Sequence, residues 1–465
     1  MENGSVWEGA RPALPELEGD MTADAVVVGG GLAGIMTAYE LSSRGAKVVL
    51  ADASDLLAGT TPKATAKVTA AQGTIYADLR ERYGPDVPAA YYAAQRRGME
   101  ECVRLAERYS IDCDLTEADG YVFTRGGGSE LDATERVLRD VGAEVERTRL
   151  PGAQSAPEAL RLPGQYAIDP LKFALGLPRD YAAYSRSPAL SLDFKARKVR
   201  FRHGSVTADV VVSATRYPFS DEKGGYAMKL RPSMAFSMAV SERLTDGLVL
   251  EDREDGLSLR PYSGGTIICG ADCRTGRATK PDRYERIERE VRGLYGGITP
   301  THRWCAEDCM TFDGMPMVGK YAEDTDNVFV ATGFNKWGMA NSVAAAGAIA
   351  DMAEGKPSPL PVFDPARHIR GALGATIVNA LNNMLGLIHG LMPVLRGTES
   401  IARGEARVAR SRKGVCGVYR DLDGRLHYAP ARCPHMGCRL SWDPSAMTWD
   451  CPCHGSRFDV DGNPV

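Results

Sequence analysis

The sequence lacks several features that would assign a binding role at once. It has no long run of like charges, no low-complexity tract and no internal repeat, so nothing indicates a disordered tail or a repeat architecture. Its 56 basic and 60 acidic residues give a formal net charge of −4, which excludes a general electrostatic attraction to nucleic acid or to an anionic membrane. With 465 residues, the chain is long enough for two to four domains.

The N-terminus lacks the apolar segment of a secretory signal. Residues 1–20 instead contain Glu2, Glu8, Glu16 and Glu18. The sequence therefore predicts a cytoplasmic protein in a reducing compartment, where free thiols and metal sites are more common than disulfides.

Residues 371–395 are largely apolar, but three asparagines, a histidine and a proline interrupt them, which fits a membrane span poorly. Apolar residues in this segment recur in alternating steps of four and three. This spacing predicts a helix that packs one face on protein. The predicted face consists of Ile377, Leu381, Met384, Ile388, Leu391 and Leu395.

The N-terminal region predicts a βαβ unit with a parallel sheet. Residues 23–28 form an apolar run, 32–44 have helical spacing, and 47–51 are a second apolar run. Further along, helices are predicted at 76–110 and 131–140, and segments 227–240 and 257–270 alternate like antiparallel strands. From residue 414 the chain has only short strands and turns. The predicted fold class is thus α/β plus all-β.

The first strand ends in a glycine motif, because residues 29–34 fit G-x-G-x-x-G. Gly29 makes the tight turn, Gly31 lets the backbone approach a diphosphate, and Gly34 lets helix and strand pack closely. Asp52, at the end of the next strand, can accept hydrogen bonds from a ribose diol. This arrangement predicts dinucleotide binding.

A second glycine turn favours FAD over NAD. The chain lacks a second G-x-G-x-x-G, but a strand at 327–332 runs into residues 333–339 and then into a helix. Such a turn can bring backbone N–H groups to the pyrimidine ring of a flavin.

Residues 5–355 resemble the glycine/D-amino-acid-oxidase-like family of FAD-dependent oxidoreductases. The matching stretches are 24–31, 59–61, 211–215, 313–316 with Gly319, and 331–333. The resemblance implies a set of cofactor contacts: Gly29, Gly31, Leu32, Ala33, Gly34 and Asp52 at the ADP part, Thr60 and Thr61 at the diphosphate and flavin, Val199 near the adenine, and Gly333, Phe334, Trp337, Gly338 and Met339 at the isoalloxazine ring.

Four cysteines are concentrated between residues 433 and 453; His435 lies in the same segment and His454 directly follows it. Cys433 and His435 form C-x-H, and Cys451 and His454 form C-x-x-H. Two thiolates and two imidazoles can hold zinc or a Rieske 2Fe–2S cluster. One cysteine and one histidine in each loop favour the cluster, with structural zinc and a disulfide scaffold as the alternatives.

The same segment resembles the Rieske proteins of cytochrome bc-type complexes. The resemblance implies a disulfide between Cys438 and Cys453 and a hydrogen bond from Ser456 to a cluster sulfide. Phe458 stands where those proteins often have tyrosine, so we expect a lower reduction potential. That fold continues with a third loop beyond Val465, so we expect a more open cluster here.

Together these features predict three regions. An FAD-dependent oxidoreductase is expected over 1–362, with FAD-binding parts at about 20–75, 195–220 and 305–355 and a substrate domain at about 76–194 and 221–304. A helical linker is expected over 363–405. A Rieske domain is expected over 406–465.

The two cofactors predict a dehydrogenase. A small amine, amino acid or hydroxy compound would reduce FAD, and electrons would leave singly through the cluster to a protein or quinone. Lys336 and Asn335 beside the second glycine turn, and Arg260 as a carboxylate clamp, are the candidate catalytic residues. Arg216 and Arg274 are further clamp candidates.

Two other functions stay open: a reductase that receives electrons through the cluster, and a non-enzymatic redox sensor. A Rieske oxygenase is disfavoured, because the remaining five histidines lack the spacing of a mononuclear iron site. No nucleic-acid partner is expected, and the oligomeric state is open.

Overall fold

The computed structural model describes residues 2–7, 9–126, 128–277, 281–392, 397–398, 400–412 and 414–465. Leu395, predicted as part of an apolar helix face, lies outside these residues. The helices of the described residues are α1 Leu32–Ser43, α2 Ile75–Tyr83, α3 Asp86–Arg108, α4 Ser129–Asp140, α5 Pro170–Gly176, α6 Tyr226–Lys229, α7 Arg283–Tyr295, α8 Gly338–Ala353 and α9 Leu373–Leu391.

The strands fall into two large and two small sheets. They are β1 Glu2–Asn3, β2 Glu18–Val28, β3 Val48–Ala51, β4 Lys67–Val68, β5 Thr116–Phe123, β6 Glu146–Arg149, β7 Glu158–Ala167, β8 Ala182–Tyr184, β9 Ala189–Asp193, β10 Lys198–Phe201, β11 His203–Ser213, β12 Leu230–Val240, β13 Leu248–Glu251, β14 Ser258–Tyr262, β15 Gly265–Arg274, β16 Pro300–Thr311, β17 Met317–Lys320, β18 Val328–Thr332, β19 Ala406–Ser411, β20 Gly414–Arg420, β21 Leu426–Pro430, β22 Ser441–Asp443, β23 Thr448–Asp450 and β24 Arg457–Phe458.

The first sheet has the strand order β17-β18-β11-β2-β3-β8, with β10 and β9 added beside β11. Its central strands β18, β11, β2, β3 and β8 are parallel. The predicted βαβ unit is confirmed as β2, α1 and β3. The carboxyl ends of these parallel strands meet at one edge, where ligands bind in open α/β sheets.

The second sheet is larger and mostly antiparallel. Its order is β1-β16-β12-β15-β14-β13-β5-β7-β4, with β6 paired to β7. Burial along β12 is almost continuous. On one face, Met234, Phe236, Met238 and Val240 pack in one core cluster with helix α7. This sheet supplies the wall opposite the carboxyl edge of the first sheet.

Several elements differ from the predicted boundaries. The helix predicted over 76–110 is two helices, because Gly84 adopts a φ of 92° and Pro85 follows it. The strand predicted over 227–240 begins as the short helix α6. Strands β8 and β9 join the first sheet although the substrate domain was expected there, and β4 joins the second sheet.

The C-terminal region forms two three-stranded antiparallel sheets, β19-β20-β21 and β22-β23-β24. The buried side chains of Trp449 and Leu440 pack in one cluster with the four cysteines. Helix α9 leads into this region and packs on it, since a Cβ at Gly390 would overlap with the carbonyl oxygen of Gly437.

Helix α9 does not bury the apolar face that the sequence predicts. Ile377, Leu381, Met384 and Ile388 are exposed, and the asparagine side faces the protein instead. The prediction of an apolar face packed on protein is therefore wrong for these residues. Among the described residues, no helix is long and apolar enough to cross a membrane.

Candidate functional site

The first glycine turn joins β2 to α1 at the carboxyl edge of the first sheet. Gly29 has a φ of 112°, and a Cβ at Gly34 would overlap with the Gly29 carbonyl oxygen, so both positions need glycine. At Gly31 a Cβ would project toward open space, with Thr61 Oγ1 as its nearest atom at 3.6 Å. The turn therefore leaves room for a phosphate at the start of α1.

A single cavity of about 2230 Å³ begins at this turn. It exceeds the ~1,000 Å³ upper range of ordinary small-molecule pockets, as a dinucleotide plus a substrate requires. Most of the predicted cofactor residues line it: Gly29, Gly31, Leu32, Ala33, Asp52, Thr60, Thr61, Gly333, Phe334, Trp337, Gly338 and Met339.

Asp52 and Thr61 stabilise the shape of this end of the cavity. Asp52 Oδ2 accepts a hydrogen bond from Gly30 N at 2.6 Å, and its Oδ1 accepts from Ser54 N at 2.7 Å. Thr61 Oγ1 accepts from Leu32 N at 3.1 Å. The Ser54 hydroxyl also donates to Oδ1, at 2.8 Å. Each carboxylate oxygen has two lone pairs, so Asp52 Oδ2 retains one for a ribose hydroxyl. These residues fit the ADP part of FAD.

Val199 lies elsewhere. It is fully buried in β10, within the core between β9 and β11, and it is not among the residues that line the cavity. Gly34 is also absent from the lining, in keeping with its packing role. A contact of Val199 with the adenine stays a prediction.

The second glycine turn is rigid because Asn335 stabilises it from inside. Asn335 Oδ1 accepts from Thr311 N at 2.9 Å, and its Nδ2 donates to Gly333 O at 2.6 Å. Asn335 and Lys336 both adopt left-handed backbone conformations, with φ of 50° and 72°. This conformation is unusual for residues other than glycine, and it sets the direction in which both side chains leave the backbone.

Lys336 belongs to a half-buried charged cluster at the cavity wall formed by the second sheet. Its Nζ donates to Asp272 Oδ2, and Asp308 also lies close enough to raise the pKa of Lys336. Burial opposes charge on this lysine, but the two carboxylates outweigh it. Burial also raises the pKa of Asp308 to about 6, although Lys336 opposes this shift.

Lys67 provides a second buried amine in the cavity lining. Its Nζ donates to Val249 O at 2.5 Å and to Ser258 Oγ at 2.7 Å. Burial lowers the pKa of Lys67 to about 7. The cavity therefore contains two groups, Asp308 and Lys67, that can exchange a proton near neutral pH.

Arg260 occupies a different environment from the one expected of a substrate clamp. Its guanidinium donates to the carbonyl oxygens of Ala66 at 3.1 Å and Ile168 at 2.8 Å and lies 5.1 Å from the Trp7 ring. It is buried and is not among the residues that line the cavity. These contacts favour a structural role that ties β14 to the segment before β4.

The cysteines and histidines lie on two loops with the same backbone hydrogen bonds. In the first ligand loop, residues 433–438, Gly437 N donates to Cys433 O and Cys433 N donates to Cys438 O. In the second ligand loop, residues 451–456, the same two bonds join Gly455 to Cys451 and Cys451 to Ser456. The loops thus form a matched pair that presents its side chains toward a common centre.

All eleven cysteines are free thiols, so the predicted disulfide between Cys438 and Cys453 is unsupported. The Sγ atoms of Cys438, Cys451 and Cys453 lie within 4.8 Å of one another, and the Cys433 thiol contacts Cys451. The hydroxyl of Ser456 also contacts Cys433. Converging buried sulfurs fit a site for iron and sulfide.

The histidines of the two ligand loops face the large cavity. The imidazole rings of His435 and His454 are 5.1 Å apart, and both residues line the large cavity. His454 contacts Tyr217 edge-to-face at 5.5 Å between ring centroids, and Tyr217 lines the cavity as well. His435 is exposed, whereas His454 is half-buried.

Glu307 lies where the second ligand loop meets the second sheet. Its side chain is fully buried, it forms an ion pair with Arg216 at 3.1 Å, and a Cβ at Gly455 would overlap with its carboxylate. Burial raises the pKa of Glu307 to about 8, while Arg216 and Arg457 oppose this shift. Arg457 in turn donates to Cys305 Sγ at 3.1 Å.

Sequence reasoning missed Asp272, Glu307, Asp308, Lys67 and Tyr217. One signal was available, because Glu307 and Asp308 are adjacent acids that interrupt an apolar run near the end of a strand. The other three have no local signal, since the strand pairing of the second sheet brings them to the cavity. Arg274 also lies away from the flavin side and contacts Asn379 of α9.

Comparison with known families agrees with both halves of this geometry. Residues 24–352 match the family model described as FAD dependent oxidoreductase, and residues 393–465 match the Rieske [2Fe-2S] domain.

Individual relatives are similar over long stretches. The chain is 30% identical to the Rieske 2Fe-2S iron-sulfur protein YhfW of Bacillus subtilis, over 98% of this chain and 93% of that protein. It is 23% identical to the gamma-glutamylputrescine oxidoreductase of Escherichia coli, over 78% of this chain and 90% of that protein. Glycine oxidase from Geobacillus kaustophilus has a similar fold, with a TM-score of 0.63, 21% identity, and coverage of 75% of this chain and 99% of that one.

Proposed function

Because the chain belongs to the family of FAD-dependent oxidoreductases and ends in a Rieske 2Fe–2S domain, we propose that it is a dehydrogenase for a small amine that passes electrons from FAD to the cluster within one chain. Bound FAD accepts a hydride and the cluster carries one electron at a time, so together they divide a two-electron oxidation into single-electron transfers.

One observation carries this proposal. The predicted cluster ligands His435 and His454 line the same cavity as both glycine turns. These ligands would hold a cluster whose histidine side lies toward the cavity, where Tyr217 contacts His454.

The charged cluster at the cavity wall supports an amine substrate. An ammonium group must lose a proton before its neighbouring C–H bond can give up a hydride, and Asp308 has a pKa suited to accept that proton. Asp272 balances the charge of Lys336, which leaves Asp308 to attract a cationic substrate. Lys336 places a positive charge beside the second glycine turn, where a reduced flavin gains negative charge.

Two similar proteins also support an amine substrate. The names of the gamma-glutamylputrescine oxidoreductase and the glycine oxidase describe enzymes that act on compounds with an amine group. Arg260 lies outside the cavity lining, and Arg216, which lines the cavity, is paired with Glu307. Neither therefore supplies a free carboxylate clamp, so we favour amines over α-amino acids. The external acceptor, a protein or a quinone, and a cytoplasmic location belong to the same proposal.

A substrate panel tests the reaction. The loaded protein is mixed anaerobically with primary amines, secondary amines, amino acids and hydroxy acids, and flavin absorbance is followed together with the EPR signal of the cluster. We expect an amine to bleach the flavin and then to produce the EPR signal. If no compound bleaches the flavin but a reduced ferredoxin does, the protein is a reductase and the proposal fails.

A further inference from the structure

Helix α9 packs on the protein through its polar side. Asn379 Nδ2 donates to the carbonyl oxygens of Ala227 and Leu230, each at 3.2 Å, and its Oδ1 accepts from Arg274 at 2.6 Å. Asn382 Oδ1 accepts from Arg277 at 3.0 Å. Asn379 is buried and Asn382 and Asn383 are half-buried, so most large apolar residues of the helix lie on the opposite, outward side.

The outward side is a continuous apolar surface, which we call the α9 face. Its members are 46–76% exposed and recur at helical spacing: Leu373, Ile377, Val378, Leu381, Met384, Leu385, Ile388 and Met392. Monomeric soluble proteins rarely present contiguous apolar patches above about 300–600 Å². Eight large side chains near half exposure reach that limit, so this face is expected to be covered by a binding partner.

The surroundings of the α9 face are basic. Residues 365–398 contain no aspartate or glutamate. Arg370 precedes the helix, Arg277 bonds to its middle, and Arg439 donates to Met392 O at 2.7 Å beyond its last turn. Arg432 lies next to Arg439, because the two residues form an isolated backbone β-bridge. Within the described part of the chain, none of these four arginines forms an ion pair, so their charges are available to an anionic partner.

We propose that the α9 face binds the surface of an anionic phospholipid bilayer, with the helix lying in the plane of the interface. The apolar side chains would enter the boundary between headgroups and acyl chains, and the unpaired arginines would contact lipid phosphates. The net charge of −4 gives the whole protein no such attraction, so binding depends on this local arrangement.

A second copy of the chain fits the α9 face less well than a bilayer. A two-fold dimer would place the same surface of both copies in contact. Antiparallel pairing of α9 would then bring Arg370 of one copy near Arg439 of the other, and parallel pairing would bring like arginines together. Unpaired arginines on both sides would repel each other, whereas anionic lipid neutralises them.

The ligand loops lie against helix α9 on its buried side, opposite the α9 face. A Cβ at Gly386 would be 3.4 Å from Cys453 Sγ, and Gly390 approaches the first ligand loop at Gly437. Binding through the α9 face would therefore place both loops about one helix diameter, ~10 Å, from the lipid surface. If the proposed function holds, a quinone dissolved in the bilayer is then within reach of the cluster; lipid binding itself does not depend on that function.

Vesicle flotation of the full-length loaded protein tests the proposal. The vesicles contain phosphatidylcholine alone or phosphatidylcholine with phosphatidylglycerol. The variant Ile377→Glu/Leu381→Glu/Ile388→Glu changes the α9 face. The control Leu190→Glu/Val415→Glu/Leu422→Glu adds the same charge at exposed apolar residues elsewhere. A third variant, Arg277→Gln/Arg370→Gln/Arg439→Gln, removes the basic surroundings.

We expect the wild type and the control to float with phosphatidylglycerol vesicles, and the α9 variant to bind at least tenfold less. The arginine variant should lose most of the preference for phosphatidylglycerol, and added salt should have the same effect. The proposal is overturned if the wild type does not bind, or if the control loses binding equally. Light scattering that shows a dimer dissociated by the α9 variant, without lipid binding, would assign the face to a second copy.

Discussion

At the scale of single residues, two adjacent acids of β16 have different surroundings. Asp308 lies near Lys336 and Asp272 on the substrate side, whereas Glu307 lies against Arg216 and the second ligand loop. Side chains of neighbouring strand residues point to opposite faces of a sheet. One strand therefore reaches both the proposed amine site and the contact with the second ligand loop.

We predict that Asp308 accepts the proton of the substrate amine. A base must be deprotonated to act, so the rate of flavin reduction in the wild type should rise with pH through about 6. Asp308→Asn should lose this rise and slow flavin reduction roughly 100-fold. Stopped-flow measurement between pH 5 and 9 checks both. A rise that persists in the variant would contradict the assignment and point to Lys67.

A second prediction concerns Glu307. Burial raises its pKa from 4.5 to about 8, so between these values the folded protein holds a proton that the unfolded chain has released. The contribution of Glu307 to the free energy of unfolding should therefore be largest below pH 4.5 and should fall as pH rises toward 8. Glu307→Gln should reduce this decline by up to about 1.4 kcal/mol per pH unit.

Urea denaturation of the loaded protein across this pH range measures the decline. Glu117→Gln, at an exposed position of β5, is the matched control and should leave the slope unchanged. The same slope in wild type and Glu307→Gln would show that Glu307 is ionised in the folded protein.

At the scale of elements, the two ligand loops are equivalent in backbone but not in environment. Gly437 and Gly455 occupy corresponding positions and have φ of 77° and 69°. A Cβ at Gly437 meets no atom within 4 Å, whereas one at Gly455 overlaps with Glu307. The second ligand loop therefore depends on glycine for its contact with the FAD-binding part.

This difference gives a controlled experiment on domain contact. Alanine at either position has the same strain of a left-handed backbone, about 1 kcal/mol. Only Gly455→Ala should move the second ligand loop away from the cavity and slow reduction of the cluster by FAD at least tenfold. Gly437→Ala should retain the wild-type rate. Both variants should retain FAD, and equal rates in the two would contradict the proposed contact.

Helix α9 shows what a local pattern cannot establish. Its heptad-like spacing predicted a helix correctly, but spacing alone does not show which side meets the protein. The asparagines dock because Ala227 and Leu230 present free carbonyl oxygens and Arg274 presents a donor. Those partners come from residues about 100 to 150 positions earlier in the chain.

At the scale of the whole molecule, the sequence predicted the fold class and both cofactors, because glycine turns and ligand loops are local motifs. The substrate side was not predicted, since Lys67, Asp272 and Asp308 come from three different strands of the second sheet. Local sequence patterns also could not predict where the cluster site lies relative to the cavity. It depends on the contacts of Gly455 with Glu307 and of Arg457 with Cys305.

The central claim is that electrons pass from FAD to the cluster within one chain. A light flash in the presence of EDTA reduces the flavin without an identified substrate, and absorbance with freeze-quench EPR then follows the cluster. Cys433→Ser, which removes a predicted cluster ligand, is the control without a cluster signal. We predict a rate of cluster reduction that stays constant across a range of protein concentrations. A rate proportional to protein concentration, or a reduced flavin beside a cluster that stays oxidised, would contradict the account.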